Sequence, residues 1–273
     1  MSKIVLITGA SSGIGKETAL FLAQRGYTVY AGTRDPQKFK DVRNKNLHIL
    51  HLDITDQKNI ADAVKQITDT HHRIDVLVNN AGYGLVSTVE EVTEAEMSEQ
   101  FNINVFGVLR VCKSVIPVMR GNKSGVIINI SSFLGKIGLP LLTFYNASKY
   151  AVEGITDSLR YELRDYNIRV HSIMPGFFST NFAKDNLVVN QKISDEKSPY
   201  AALVSNLAPT IIEQINSGND ASEAAELILK IIEDEKSPAR ATVGDKASKF
   251  IPMRRELSDE DFERRVRDYY NLD

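Results

Sequence analysis

Short apolar runs alternate with longer stretches of helical periodicity along most of this chain, and that alternation restricts the folds open to it. Residues 4–8, 28–31, 47–52, 76–78, 126–130 and 169–174 read as strands; 14–25, 56–70, 95–119 and 147–166 read as helices between them. Ile60, Ala63, Val64 and Ile67 show the helical spacing in one of these. Strands this apolar need cover on both faces. A parallel sheet flanked by helices supplies it, so a doubly wound, Rossmann-type α/β fold of about seven strands with helices on both faces is predicted. Gly125 and Asn167 stand where turns or helix ends are wanted.

No repeat, low-complexity tract or Pro/Ser-rich linker divides the 273 residues, so one domain over 1–273 is expected. A chain of this size buries about three quarters of its unfolded surface and needs no metal or disulfide staple. The pattern changes after Pro175. Residues 177–218 read as irregular, with Pro199, Pro209 and Gly218 among scattered Phe177, Phe178, Phe182, Leu187, Tyr200 and Leu203. An insertion beyond a strand's carboxyl end lies where open α/β sheets bind ligands, so a substrate lid over about 177–218 is predicted. A helix at about 221–234 and a short strand near 241–243 complete the sheet. A C-terminal extension, about 245–273, ends in a charged helix over 259–269.

Composition narrows the function. Thirty-five acidic against 33 basic side chains leave a net charge of −2 and a pI near 6.2, without the basic surplus of a nucleic-acid binder. No stretch approaches ~18 consecutive apolar residues, so no membrane span is expected. The apolar run before Thr8 and Gly9 is too short for a secretory signal core. Cys112 is the only cysteine, which suits a reducing, cytoplasmic setting. Histidines 48, 51, 71, 72 and 171 lack metal-ligand spacing, so no metal is expected.

The first strand runs into Thr8-Gly9-Ala10-Ser11-Ser12-Gly13-Ile14-Gly15 and then a helix rich in Ala and Leu. A strand, a glycine turn and a helix N-terminus together seat a pyrophosphate. Gly9 would allow the tight turn, Gly13 close backbone approach and Gly15 close helix–strand packing. With Asn79-Asn80-Ala81-Gly82 after the fourth strand and the pair Tyr145 and Lys149, this loop resembles the short-chain dehydrogenase/reductase family, in its single-domain branch. The likeness extends to Asp53, Asn104, Ser131-Ser132 and Pro175-Gly176 with Thr180, and covers residues 1–182. The runs 29–35 and 80–85 look similar to the 17β-hydroxysteroid and retinol dehydrogenase-like subgroup.

The resemblance implies a nicotinamide dinucleotide. A relative selecting NAD carries an Asp where Thr33 stands; an uncharged Thr33 beside Arg34 therefore implies NADP(H) over NAD(H). Asp35 keeps an NAD reading open, since a small loop shift would bring it to the ribose. The resemblance assigns Gly9, Ser11, Ser12, Gly13, Ile14 and Gly15 to the cofactor, with Asp53 and Ile54 at the adenine. It further assigns Asn80, Ala81, Gly82, Tyr145, Lys149, Pro175, Gly176 and Thr180 to the same cofactor.

Tyr145 and Lys149, four residues apart on a helix, share a face. A phenol with a pKa near ~10 is a poor proton donor at neutral pH; bringing it to ~7 takes roughly 4 kcal/mol, which a nearby Lys and a positively charged nicotinamide can supply together. Ser132 leaves the fifth strand at the end where the glycine loop emerges, so the three groups can converge. Ser131 is the alternative, but consecutive strand residues face opposite ways, and the family's Ser-to-Tyr spacing favours Ser132. Ser132 would orient a carbonyl oxygen and Tyr145 would act as general acid or base. Lys149 would hold the ribose, and Asn104 a water linking Lys149 to solvent. The implied reaction is hydride transfer between nicotinamide and a carbonyl or secondary alcohol.

Apolar segments at 133–134, 138–142 and 177–178, with few basic residues besides Lys136 and Lys184, point to a mainly apolar small-molecule substrate, steroid-, retinoid- or aromatic-ketone-like. A reductase of a small polar keto compound and a non-catalytic NADP(H) sensor are the alternatives. Family members associate through the helices at about 95–119 and 147–166, which implies a homodimer or homotetramer. The extension at 245–273 would either cover the pocket or block one such interface.

Overall fold

The computed structural model describes residues 2–180, 182 and 186–272. Strands β1 (Ile4–Ile7), β2 (Thr28–Thr33), β3 (Leu47–His51), β4 (Val76–Asn79), β6 (Gly125–Ile130), β7 (Ile168–Pro175) and β9 (Arg240–Val243) form the main sheet. Their order is β3-β2-β1-β4-β6-β7-β9 and every pair is parallel. A second, two-stranded ribbon pairs β5 (Gly84–Val86) with β8 (Leu187–Val189), also in parallel. Among the described residues the α-helices are α1 (Gly13–Gln24), α2 (Gln57–His71), α3 (Glu94–Phe101), α4 (Val108–Gly121), α5 (Thr143–Glu162), α6 (Ala201–Asn216), α7 (Ala221–Glu233), α8 (Asp245–Glu256) and α9 (Asp259–Tyr270).

The pleat explains why the strands read as continuous apolar runs. Ile4 and Leu6 point into one core with Ile60, Ile67, Val111 and Met119 of α2 and α4; Val5 and Ile7 point into another with Leu22, Ile228 and Ile231 of α1 and α7. Each face is thus buried against helices, the doubly wound arrangement that the alternation predicts. The order reverses where β1 lies between β2 and β4, and a crevice opens there beyond the strands' carboxyl ends.

Three departures from the sequence reading bear on the site. The helix expected over 95–119 spans Glu94–Gly121 and is interrupted by a π-helical segment, Asn102–Gly107. Periodicity does not register the change, because the apolar stripe continues through it; the wider turn leaves Asn104 buried. The whole stretch is long and apolar enough by length and composition to cross a membrane. Its Val111, Cys112, Val115 and Met119, however, pack in the core beneath the sheet.

Residues 177–218, expected to be irregular, contain β8 and the 16-residue α6. Pro209 lies on the exposed side of α6, while Leu207, Ile211 and Ile215 are buried. Their burial offsets a proline that sequence alone reads as a helix breaker. The tail carries α8 as well as the expected charged helix, here α9. The helix placed at 147–166 starts earlier, at Thr143, and ends at Glu162, with Asn167 taking a positive φ of 56° before β7.

Candidate functional site

The glycine loop follows directly from β1. Gly9 (φ +64°) and Gly13 (φ +54°) take the left-handed conformation, and a Cβ on Gly9 would lie 2.6 Å from the Ala81 Cα. The loop is tied to the segment after β4 atom by atom. Thr8 Oγ1 accepts from the amides of Asn80 (3.0 Å) and Ala81 (3.1 Å), while Asn80 Nδ2 donates to the carbonyls of Thr8 (3.0 Å) and Gly9 (2.9 Å). Gly15, expected to pack a helix on a strand, packs instead on this Asn80 amide; a Cβ there would also come 2.7 Å from the Gly9 carbonyl.

Ser12 is the N-cap of α1 and offers it no side-chain hydrogen bond, nor is any acidic residue in the first turn. The leading amides, with the positive end of the helix dipole, therefore face the cavity lined by Ser11, Ser12, Gly13 and Ile14. A diphosphate fits this cradle. Across it, the nearest atom to a Cβ on Gly13 would be that of Thr180, at 3.4 Å.

At the end of β2, Thr33 is buried and its Oγ1 accepts from the Asp35 amide (3.0 Å). The Asp35 carboxylate caps the short helical turn Pro36–Phe39, accepting from the Gln37 amide at 3.1 Å. Arg34 is exposed and lines the cavity, and so does Lys38, which the sequence reading missed. The only signal for it is Asp35-Pro36, which starts a helical turn and returns Lys38 to the cavity that Arg34 also lines. Asp53 accepts from the Thr55 amide (2.9 Å) and hydroxyl (2.7 Å). Burial would raise its carboxyl, but these bonds and the Arg34 charge hold it below the usual range. Ile54 is buried against the bare Cα of Gly107.

Beyond β6 and in the first turn of α5 lie the groups expected to do chemistry. Ser132 is 6% exposed and accepts from the Leu134 amide at 3.1 Å, and its hydroxyl acts on the nearby Tyr145 phenol to lower its pKa. Ser131 turns toward Gly135, its Oγ without a partner. Of the two serines, Ser132 is the one whose hydroxyl acts on the phenol. Burial pushes the Tyr145 phenol up to about 12, against the pull of Ser132. Lys149 Nζ donates to the Ile130 carbonyl (2.9 Å) and lies 5.7 Å from the Tyr145 ring centre. Burial brings Lys149 down to about 8, opposed by the negative charge of Glu153 one turn along α5. In the protein alone, then, Lys149 by itself does not make the phenol acidic.

Asn104, carried inward by the π-helical segment, donates to the Tyr83 carbonyl (2.8 Å) and Ser148 Oγ (3.1 Å) and accepts from the Tyr83 amide (3.0 Å). A Cβ on Gly82 would sit 3.1 Å from Asn104 Oδ1 and 3.8 Å from Lys149 Nζ, so the glycine keeps space between them. Pro175 ends β7, and the Gly176 amide donates to the Val243 carbonyl at 2.8 Å.

Apart from Gly15 and Asn104, which are not among its lining residues, the predicted site residues border one cavity of about 870 Å³. Its remaining walls are largely apolar where β5, β8, α6 and Phe177 supply them, with Glu96 and Glu99 of α3 and Asn186 among the polar members. Lys136 is not among the lining residues and approaches Glu153 at 3.7 Å; Lys184 lies outside the described residues. The C-terminal extension packs behind the wall. Phe177 meets Phe133 edge-on (5.2 Å between ring centres), and Phe133 stacks on Phe250 of α8 (6.2 Å), which reaches Tyr270 of α9 (6.2 Å).

Comparison with known proteins gives a consistent picture. A sequence model described as short chain dehydrogenase matches residues 3–188. A 3-ketodihydrosphingosine reductase of Bacteroides thetaiotaomicron is 38% identical over 242 residues, 89% of this chain and 88% of that protein. A short-chain dehydrogenase from Streptomyces avermitilis superposes with a TM-score of 0.85 at 30% identity, covering 100% of this chain and 97% of the other. ElxO with NADP bound gives a TM-score of 0.71 at 27% identity, over 89% of this chain and 97% of that one.

Proposed function

The chain belongs to the short chain dehydrogenase family, and we propose that it is an NADP(H)-dependent reductase of a mainly apolar carbonyl compound. It is an oxidoreductase that works between CH–OH and C=O with a nicotinamide cofactor. What carries the finer reading is the convergence of Ser132, Tyr145 and Lys149 on the cavity that the glycine loop also borders, with Lys149 Nζ 5.7 Å from the Tyr145 ring centre. When bound, the nicotinamide supplies or accepts the hydride. Tyr145 gives a proton to the carbonyl oxygen in reduction and takes it back in oxidation; Ser132 orients that oxygen. Lys149 holds the ribose, and its ammonium favours the phenolate. Asn104 fixes the Tyr83 backbone and the opening beside Lys149.

NADP(H) is favoured by three features. The Asp35 carboxylate is engaged in its helical cap, while Arg34 and Lys38 put two cations on the cavity rim, and ElxO carries NADP. Guanidinium and ammonium suit a 2′-phosphate. For the substrate, the apolar walls support a bulky hydrophobic ketone. The relative's name draws this from a steroid or retinoid toward a long-chain keto compound. We further infer a single domain whose lid, about 177–218, is backed by the extension 245–273. Association as a homodimer or homotetramer would use the exposed Phe106, Leu109 and Tyr161 on the flanks of the α4 and α5 region. A cytoplasmic setting accords with the lone, buried Cys112.

The test is NADPH oxidation over a carbonyl panel: a long-chain ketone, a steroid ketone, retinal, an aromatic diketone and a small keto ester. Turnover with an apolar member is expected, falling by about 10²–10⁴ in Tyr145→Phe. NADPH should bind more tightly than NADH. Tight NADPH binding without turnover would instead mark a sensor, and full activity in Tyr145→Phe would remove the assignment of the acid.

A further inference from the structure

The substrate half of the cavity is not uniform, and its asymmetry says what shape of molecule enters. The rings that border the cavity, Tyr83, Tyr145, Phe177, Phe178 and Phe182, come from the segment after β4, the start of α5 and the segment after β7. The side chains that α6 contributes are all aliphatic: Val204, Ala208, Ile211, Ile212 and Ile215. Spaced by three and four residues, they form one stripe along the helix. From Val204 to Ile215 that stripe runs about 16 Å at the helical rise. β8 adds Val188 and Val189, again without a polar group.

One part of this lining is open to solvent. Val188 and Val189 are each 47% exposed and Ile212 is 46% exposed, although all three border the cavity. They come from two elements that the sheet does not join, and all three border the same cavity while standing about half in solvent. Large aliphatic side chains kept half in water at the mouth of a pocket cost solvation unless an apolar ligand covers them.

Resting on the reductase reading above, we propose that the substrate carries a flexible hydrocarbon chain. Its carbonyl lies near the polar, aromatic end, and the chain lies along the α6 stripe and leaves at the rim of Val188, Val189 and Ile212. A long, wholly aliphatic wall accepts a chain that bends to follow it. A rigid polycycle would find few flat ring faces there and would not reach the rim. Ile212 and Val189 are then specificity residues, acting on the tail rather than on the reacting carbon.

The experiment uses the full chain with NADPH and a series of 2-alkanones of about six to about sixteen carbons. The expected result is a kcat/KM that climbs by up to about fourfold for each methylene removed from water. It should level off once the chain outruns the roughly 16 Å wall. Ile212→Glu is expected to lower the ratio of longest-chain to shortest-chain kcat/KM at least tenfold, and Ile212→Leu to preserve it. Because each ratio is taken within one variant, a partly unfolded sample does not change it. A flat chain-length dependence, or an unchanged ratio in Ile212→Glu, overturns the proposal. Reduction of a steroid ketone without reduction of any alkanone overturns it too, while leaving the reductase reading intact. Failure to reduce any carbonyl defeats that reading, and the chain proposal with it.

Discussion

At the glycine loop the cavity wall is main chain, held atom by atom; along α6 it is aliphatic side chains, held by volume. Thr8, Gly9, Asn80 and Ala81 exchange four hydrogen bonds, and Gly9 and Gly15 leave no room for a single added carbon. The substrate wall is joined to the body partly by side-chain hydrogen bonds, such as Asn190 Nδ2 to the Glu96 carboxylate (2.7 Å), and partly by packed apolar side chains. Main-chain bonds such as Gly84 to Asn186 (2.9 Å) and Asn190 to Val86 (3.0 Å) hold the ribbon, while α6 rests on Leu207, Ile211 and Ile215. Backbone geometry tolerates almost no change, whereas an apolar core accepts another side chain of similar volume at modest cost. One chemistry can thus be held fixed while the substrate is varied.

The comparison is broken most directly at Gly9. In Gly9→Ala the new carbon meets the Ala81 backbone, and the residue must also hold a positive φ. Neither strain can be relieved by a rotamer, so the loop itself must move. A loss of roughly 3 kcal/mol, at least a hundredfold in NADPH dissociation constant, is expected. Fluorescence titration would read it, with circular dichroism to check the fold. A dissociation constant within threefold of the parent would mean that the cofactor wall is as forgiving as the substrate wall.

A smaller effect sharpens the electrostatics between the two sides. Lys149 titrates near 8 because burial disfavours its ammonium, and Glu153 works against that loss. Below about 8 the ammonium is retained, and above it the charge that favours a phenolate at Tyr145 is lost. The kcat/KM for reduction should therefore fall as pH rises through about 8. Among the described residues the charge acting on Lys149 is that of Glu153 on its own helix, which in turn meets Arg240 of β9 (2.5 Å) and Lys136 (3.7 Å). Removing the carboxylate in Glu153→Gln should move the falling limb to lower pH by about half a unit or more. A limb that stays in place would show that Glu153 only anchors Arg240.

How much of this was legible in the sequence follows the same division. Backbone demands leave marks by residue type: only glycine suits Gly9, and Asn80 and Thr8 are placed for their hydrogen bonds. The glycine turn and the helical spacing of Tyr145 and Lys149 can therefore be read from the residues, and the resemblance adds the segment after β4. The sheet was equally readable, since both of its faces are apolar. Volume leaves no such mark. Pro209 hides α6, the three-residue strands of the β5–β8 ribbon are too short to show a period, and the π-helical segment preserves the stripe while turning Asn104 inward. Lys38 was missed because its place depends on a turn that Asp35 caps.

The mildest change tests the volumetric side alone. Ile211 is 7% exposed, lines the cavity and belongs to the cluster that joins α6 to the C-terminal helices. Ile211→Val removes one methylene without adding a polar atom or backbone strain, a change that costs about 0.5–1.5 kcal/mol. In a chain this long that lowers the melting temperature by about 2–4 °C per kcal/mol. The KM for an apolar ketone should rise by no more than about tenfold, with NADPH affinity unmoved. Calorimetry and steady-state kinetics on the same sample would show whether both follow. A hundredfold change here would mean that the substrate wall is as exacting as the glycine loop, and that the two sides are not held by different means. A small KM shift at constant NADPH affinity would confine the disturbance to volume, because the cofactor wall shares no hydrogen bond with Ile211 through which to sense it.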